Sequence, residues 1–362
     1  MTAAAAYRFY AAEISYFSGK VRPIFRYKDI PFEEIAPTPQ VYREIIIPRT
    51  GLAFIPVVVT PEDDTLQDTS EILDALERRF PDPPVYPPTP VQRVVAYLIE
   101  VYADEFCVLP AMHYRWSFPA SEAKARADFA QATGDPTTAG PFADRMKGSL
   151  PFLGVQPATM PAIEAHTREL LDVLSRHFEA QDYLLGSRMS LADLALLGPF
   201  YAHLYLDAVP GRLLRETAPR VCAWIERMNH PRPRGGEFVG NDALPPTLEP
   251  LLELIGRDAV PLLLDNLRAF ERWADGKPAD LIEPPRGVGG HETELRGVRF
   301  QRFTSPYTLW MVQRPLDAYR ALPADARTQV DRALDGTGLN ALLGFTPRYR
   351  LSKRHFKLVF EA

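Results

Sequence analysis

Cysteine is nearly absent from this chain of 362 residues: there are two, Cys107 and Cys222, far apart and each in an apolar run. That excludes a disulfide framework, a Cys-x-x-Cys redox pair and a cysteine zinc site, and fits buried free thiols in a reducing compartment. Basic excess is also missing. The 41 Lys and Arg against 46 Asp and Glu leave a net charge of −5, which argues against a general nucleic-acid binder. No long uninterrupted apolar run occurs. The most apolar stretch, Leu191 to Val209, carries Asp193, Pro199, His203 and Asp207, so it reads as buried helix rather than a membrane span. Met1 to Ala6 lacks a basic segment followed by an apolar one, so no secretory signal is expected and the cytoplasm is the default location. Histidines number seven and are scattered. His291-Glu-x-Glu294 has no second half at ligand spacing, and no metal is expected.

Proline is abundant, at 36 residues. It clusters at Pro81 to Pro90 and Pro245 to Pro250, where it punctuates the chain. The length suggests two or three domains, at roughly 150 residues each. Tyr7 to Ala12 reads as a strand and Ser18 to Lys28 as a helix with Pro23 in its first turn. Phe32 to Ile35 is a second strand, and a loop is expected before the strand at Ile55 to Val59. A turn at Asp63-Asp64, a return strand from Thr65 and a helix ending at Phe80 complete a β-α-β, β-β-α order.

Beyond the linker the pattern is helical. Val91 to Met112 reads as one long helix, and Ile163 to Phe178 as one face of another. Ser190-Leu-Ala-Asp193 has the form of a capping box. Val221 to Met228 is helical, and Arg232-Pro-Arg-Gly-Gly236 breaks the chain. Leu248 to Trp273 reads as helix kinked at Pro261. In the last part, Glu292 to Phe303, Thr308 to Val312 and Arg348 to Phe360 read as strands, and Pro323 to Leu334 as a helix. The five basic residues between Arg348 and Lys357 read as a solvated strand face.

Three segments in order carry a resemblance. Ser15-Tyr-Phe-Ser-Gly-Lys-Val-Arg22 follows the first strand, Phe54-Ile-Pro-Val57 precedes the third, and Leu66-Gln-Asp-Thr-Ser-Glu-Ile-Leu73 opens a helix. Together with the Ser190 to Asp193 box they resemble the glutathione S-transferase superfamily over residues 7 to 230. The resemblance implies an α/β thioredoxin-like domain over 7–82 and an all-α helical domain of transferase type over 90–235. A small α+β C-terminal extension over 245–362 has no counterpart in ordinary members. Glutathione is the implied co-substrate, a small-molecule electrophile the implied second substrate, and a homodimer the implied assembly.

The chemistry of these positions follows from elementary rules. A thiol attacks as its thiolate, which is scarce at neutral pH. A hydroxyl at a helix N-terminus stabilises the sulfur anion by a charge-assisted hydrogen bond and by the helix dipole. Ser15 is the candidate, with Tyr16 and Ser18 its nearest rivals and a plain helix cap the alternative role. The resemblance assigns the peptide backbone of glutathione to Ile55 before a cis Pro56, and its γ-glutamyl group to Asp68 and Thr69. Phe54 stands where relatives carry a polar residue for the glycyl carboxylate, which leaves Arg49 as a substitute. Tyr102, His113, Tyr114, Arg115 and Trp116 are candidates to line the electrophile pocket, or else core. Asp104 is a candidate for contact across a dimer. The rival function is a non-catalytic interaction protein on the same fold.

Overall fold

The structure, a computed structural model, describes residues 6–231, 235–278 and 280–361. The start of the chain and residues 232–234 of the expected break lie outside the described residues.

The first unit is a four-stranded sheet in the order β2-β1-β3-β4. Strands β1 (Tyr7–Tyr10) and β2 (Phe32–Ile35) run parallel, with Tyr7 opposite Phe32. Strands β3 (Val57–Val59) and β4 (Thr65–Gln67) are antiparallel, with β3 also pairing antiparallel to β1. Successive strand side chains face opposite ways. Phe9 and Val58 therefore meet helices α1 (Tyr16–Tyr27) and α2 (Thr69–Arg79) through Val21, Ile24, Ile72 and Leu76. Tyr10, Val57 and Val59 meet Ile46 on the other face. Two expectations change here. Helix α1 begins at Tyr16, so Pro23 lies well inside it, where the missing N–H leaves the Gly19 carbonyl without its helical donor. The expected loop before β3 holds helical turns over residues 39–50, stopped by Gly51 at φ 68°.

The second unit is helical. Helix α3 (Pro90–Val101) runs through a π turn (Tyr102–Phe106) into α4 (Val108–Trp116), so the single long helix is interrupted by one wide turn. Then come α5 (Pro119–Thr133), α6 (Pro136–Gly148), α7 (Met160–Ala180), α8 (Leu191–Pro199), α9 (Ala208–Thr217) and α10 (Pro219–Asn229). The capping box is complete: Ser190 Oγ accepts from the Asp193 N–H at 3.4 Å, and Asp193 Oδ2 from the Ser190 N–H at 3.0 Å. The other Asp193 oxygen accepts from the Leu184 N–H and from Trp224 Nε1. Helix α8 lies directly on α1: a Cβ on Gly198 would come within 3.0 Å of the Tyr16 carbonyl oxygen, so the two backbones meet where no side chain fits.

The extension adds α11 (Glu249–Asp258) and α12 (Val260–Asp275), separated at Ala259 just before Pro261. A hairpin of β5 (Gly290–Leu295) and β6 (Val298–Phe303) follows. Thr308 to Val312 is not a strand but part of α13 (Pro306–Arg320). The short apolar run fits either period, and Leu309, Val312 and Leu316 take the helical one by burying together. Helix α14 (Ala324–Ala333) is followed by a second hairpin rather than one final strand. Its arms are β7 (Leu351–Arg354) and β8 (Lys357–Phe360), turned at His355 and Phe356, both with positive φ. One continuous core joins α1, α3, α8 and α13, so the extension is packed into the transferase-like body.

Asp258 fastens the extension to the helical unit. It accepts from His166 Nδ1 of α7 at 2.7 Å, from Arg257 Nε at 3.0 Å and from Arg296 Nε of the hairpin turn at 2.8 Å. Burial raises its pKa, but the His166 hydrogen bond and the two guanidiniums outweigh this and hold the carboxyl well below the usual range. A depressed pKa means the folded state binds fewer protons. The stability it contributes is present above about pH 4 and is lost as pH falls toward the folded value. Asp258→Asn is expected to lower stability at pH 7 by about 3 kcal/mol. Acid titration followed by near-UV circular dichroism should show a shallower loss below about pH 4 for the variant than for the wild type. Equal slopes would refute this role.

Candidate functional site

The site grows from the N-terminus of α1. Ser15 is the N-cap, with extended φ −86° and ψ 124°, and its Oγ accepts from the Ser18 N–H at 3.3 Å. It is half-buried, and among the described residues its hydroxyl donates to no acceptor. The two rivals are differently employed. The Tyr16 hydroxyl donates to the Ala103 carbonyl in the π turn, its ring packs edge-on against His203, and burial pushes the phenol well above its ordinary pKa. It joins the two units rather than facing a ligand. Ser18 is fully buried and its Oγ accepts from the Ala12 N–H at 3.4 Å, bracing the loop that leads to Ser15.

The Ile55–Pro56 bond is cis. None of the backbone hydrogen bonds outside regular elements, among the described residues, uses the N–H or carbonyl of Ile55, which is half-buried. An extended peptide can pair there. Arg49 is turned to its own neighbours: it bonds Asp63 Oδ1 at 2.7 Å and Thr65 Oγ1 at 3.1 Å. Phe54 is covered by Arg286 of the extension, whose guanidinium sits 3.9 Å from the ring centroid. Burial lowers the Arg286 pKa from its ordinary value.

Asp68 ends β4 and caps α2, at φ 78°. Its Oδ1 accepts from the Ser70 N–H at 3.0 Å. Its Oδ2 accepts from the Tyr307 hydroxyl at 2.6 Å and forms an ion pair with Lys353 Nζ at 2.6 Å, both partners coming from the extension. Thr69, the first helical residue, is 4% exposed. The Lys353 ammonium thus stands where the resemblance places the γ-glutamyl ammonium, and the expected solvated basic strand corresponds to a hairpin reaching into the site. Arg348, Arg350 and Lys357 are also paired, with Glu271, Asp317 and Glu283.

Beneath Asp68 lies a buried charge cluster. Lys20 Nζ of α1 donates to Asp104 at 2.6 Å, Glu100 at 2.8 Å and Ser70 Oγ at 3.2 Å. Arg314 of α13 reaches Glu100 Oε2 at 3.0 Å and Asp74 with two nitrogens. Burial raises the Glu100 carboxyl, but Arg314 and Lys20 overcome it and hold it down, to about 2. Burial pushes Asp104 up, Lys20 opposing and Glu100 adding. Asp104 is 4% exposed and held by Lys20, so it does not present a carboxylate to a second copy.

The aromatic group expected to line a pocket is interior. Tyr102, His113, Tyr114, Arg115 and Trp116 are each no more than 3% exposed. The Tyr102 hydroxyl meets His166 Nε2 at 2.8 Å, and His113 bridges Ser117 and Glu164. Tyr114 stacks on Phe118 and Trp116 on Phe129. Arg115 bonds Asp207 at 2.8 Å and the Ile14 carbonyl at 3.0 Å. It anchors the loop carrying Ser15 from the far unit. The helical spacing that suggested a lining is equally the spacing of a core face. Two surface clefts of about 440 Å³ lie elsewhere, beside Asp242 and Arg332 and beside Leu150 and Met160. Among the described residues no group of three His, Cys, Asp or Glu side chains is arranged to hold a metal, and no helix is long and apolar enough to cross a membrane.

Sequence reasoning missed Arg286, Tyr307, Arg314 and Lys353, all from the extension. The signal available was the density of cations and aromatics there, without a rule to say where they would land.

Comparison with known proteins identifies the family. The glutathione S-transferase N-terminal domain family matches residues 9–84, and the C-terminal domain family matches residues 155–231. The chain belongs to the glutathione S-transferase superfamily. Similar solved structures include a glutathione S-transferase from Methylobacterium radiotolerans in complex with glutathione sulfonate. It is 22% identical, covers 65% of this chain and 99% of its own, and gives a TM-score of 0.41. A beta-etherase from Sphingobium is 18% identical, covering 63% and 96%, with a TM-score of 0.45. A tau-class glutathione S-transferase from mango is 17% identical, covering 68% and 95%, with a TM-score of 0.41. No curated protein matches the chain.

Lys20→Met is expected to leave Glu100 and Asp104 without their shared cation and to cost about 3–5 kcal/mol. Urea unfolding should show the loss, and adding Asp104→Asn to Lys20→Met should recover part of it. A loss below about 1 kcal/mol would contradict this account.

Proposed function

We propose that the protein is a glutathione-transferase-like enzyme that activates a glutathione-type thiol at Ser15 for attack on an electrophilic small molecule. The observation that carries the reading is the state of Ser15: an N-cap hydroxyl, half-buried, accepting from the Ser18 N–H and keeping its own proton free to donate. A sulfur set against it receives that hydrogen bond and the positive end of α1. The thiol proton leaves to solvent, and the thiolate forms the new carbon–sulfur bond as the electrophile's leaving group departs or its unsaturated bond takes up the electron pair. Holding both reactants in place lowers the barrier alongside the activation. Ile55 before the cis Pro56 offers backbone pairing to the thiol's peptide portion, and Asp68 with Thr69 lies at its other end. The reading carries with it a homodimer and a cytoplasmic location.

A second reading, a non-catalytic interaction protein, is favoured by one observation: Lys353 and Arg286 already sit on Asp68 and Phe54. Calorimetric titration with reduced glutathione, with thiolate absorbance followed in the ultraviolet, separates the two. The enzyme reading expects binding in the micromolar to low-millimolar range, and a thiolate signal that Ser15→Ala removes. Two pKa units of thiol depression correspond to about 2.7 kcal/mol. Binding of no thiol ligand at about 10 mM would leave the second reading standing.

A further inference from the structure

The Asp68 carboxylate is already largely taken up by the chain itself. Two hydrogen bonds and an ion pair reach its two oxygens: the Ser70 N–H donates to one, and the other accepts from the Tyr307 hydroxyl and pairs with Lys353 Nζ. The Lys353 ammonium lies 4.1 Å from the Trp310 ring centroid and 5.6 Å from that of Tyr307, and Glu71 stands 3.7 Å away on α2. Aromatic faces and a carboxylate around a nitrogen cation form a site for an amine. Here the chain's own amine fills it, and the Lys353 and Asp68 side chains are each only 7% exposed.

The hairpin that delivers Lys353 is fixed at its base. Leu351, two residues before, is 1% exposed and exchanges both backbone hydrogen bonds with the Gln313 side chain, at 2.8 and 2.9 Å. Arg350 makes two bonds to Asp317. The Lys353 backbone is therefore a fixed part of the wall, as settled as Asp68 itself.

We propose that Lys353 is a specificity-determining residue of the thiol site. It takes from within the carboxylate that an incoming α-ammonium would need. The groove then discriminates against thiols with a free amine at that end, in favour of thiols whose amine is acylated or missing. The inference rests on the reading of this groove as a thiol site. A second ammonium brought to Asp68 meets the Lys353 charge at close range and finds the carboxylate already paired, so it loses its water for a weaker counter-ion than an unpaired Asp68 would be. An amide nitrogen carries no charge to compensate. A carboxylate at the same end gains the field of Lys353.

The test is the ratio of two affinities in the full-length protein. Reduced glutathione and N-acetylglutathione are titrated by calorimetry into the wild type, Lys353→Met and Lys353→Arg, with thermal melts confirming that each is folded. The wild type is expected to bind the N-acetylated thiol about tenfold more tightly. Lys353→Met frees Asp68 and is expected to reverse the preference, glutathione becoming the tighter ligand by about tenfold, while Lys353→Arg keeps the wild-type order. A merely structural role would weaken both ligands alike and leave the ratio unmoved. A wild type that prefers glutathione overturns the proposal, even should Lys353→Met fail to fold, and so does a folded Lys353→Met with an unchanged ratio. Both results leave the thiol-site reading intact. Failure of both ligands to bind any of the proteins overturns that reading and this proposal with it.

Discussion

Two carboxylates buried at one junction set the constraint on which the rest of this structure depends. Glu100 and Asp104 stand on consecutive turns of the α3 and π-turn segment, inside the protein, where an unpaired charge would be prohibitively costly. Lys20 from the thioredoxin-like unit answers both of them, and Arg314 from the extension answers Glu100 from the other side. Each cation comes from a different part of the chain, so the charges balance only when all three parts are docked. Ser70 at the start of α2 lies in the same network, one residue beyond Thr69 and two beyond Asp68. The cluster thereby fixes the orientation of the helix start that borders the site. Hydrophobic packing supplies most of the cohesion, but it is non-directional. The charge cluster supplies registration, and its cost when incomplete makes alternative dockings unfavourable.

A similar logic places Ser15. Its loop is short and follows directly from β1, yet it is held from outside its own unit. Arg115 binds the Ile14 carbonyl, and Tyr16 binds the Ala103 carbonyl. Both bonds cross to the helical unit. The candidate hydroxyl is thus positioned by the second unit as much as by the sheet that carries it, and residues that suggested a substrate pocket act instead as its scaffold. Burial explains the difference: Arg115 is paired with Asp207 and packed away from water, so its charge serves architecture.

How much of this was readable from the sequence depends on range. The succession of strands and helices up to residue 80, the cap at Ser190 and the helix at α2 are set by contacts within a few residues, and local pattern reports them; the cis Pro56 comes with the family resemblance. Ser15 and Asp68 are singled out by the family resemblance; their local pattern alone reads equally well as a plain helix cap. The failures lie where tertiary contact decides. Pro23 is tolerated inside α1, Thr308 to Val312 takes the helical period, and the final basic strand folds back as a hairpin. Tyr102 to Trp116 satisfied the pattern for a lining and for a core equally well, and only burial distinguishes them. Lys353 reads in sequence as one of five cations on a solvated strand face, because a charge run carries no sign of a distant partner; its partner is Asp68, 285 positions earlier in the chain.

That last contact changes what the thioredoxin-like unit alone would imply. An Asp68 without Lys353 and Tyr307 would offer its carboxylate to an incoming ammonium. The same aspartate is paired with an internal lysine and bonded by a tyrosine hydroxyl, and Arg286 covers Phe54. The extension brings side chains to Asp68 and Phe54, from α13, from β7 and from residue 286. Its removal would therefore do more than expose core. It would leave Asp68 without its lysine and Phe54 without its arginine, and on the proposed reading of this region would alter which thiols are accepted.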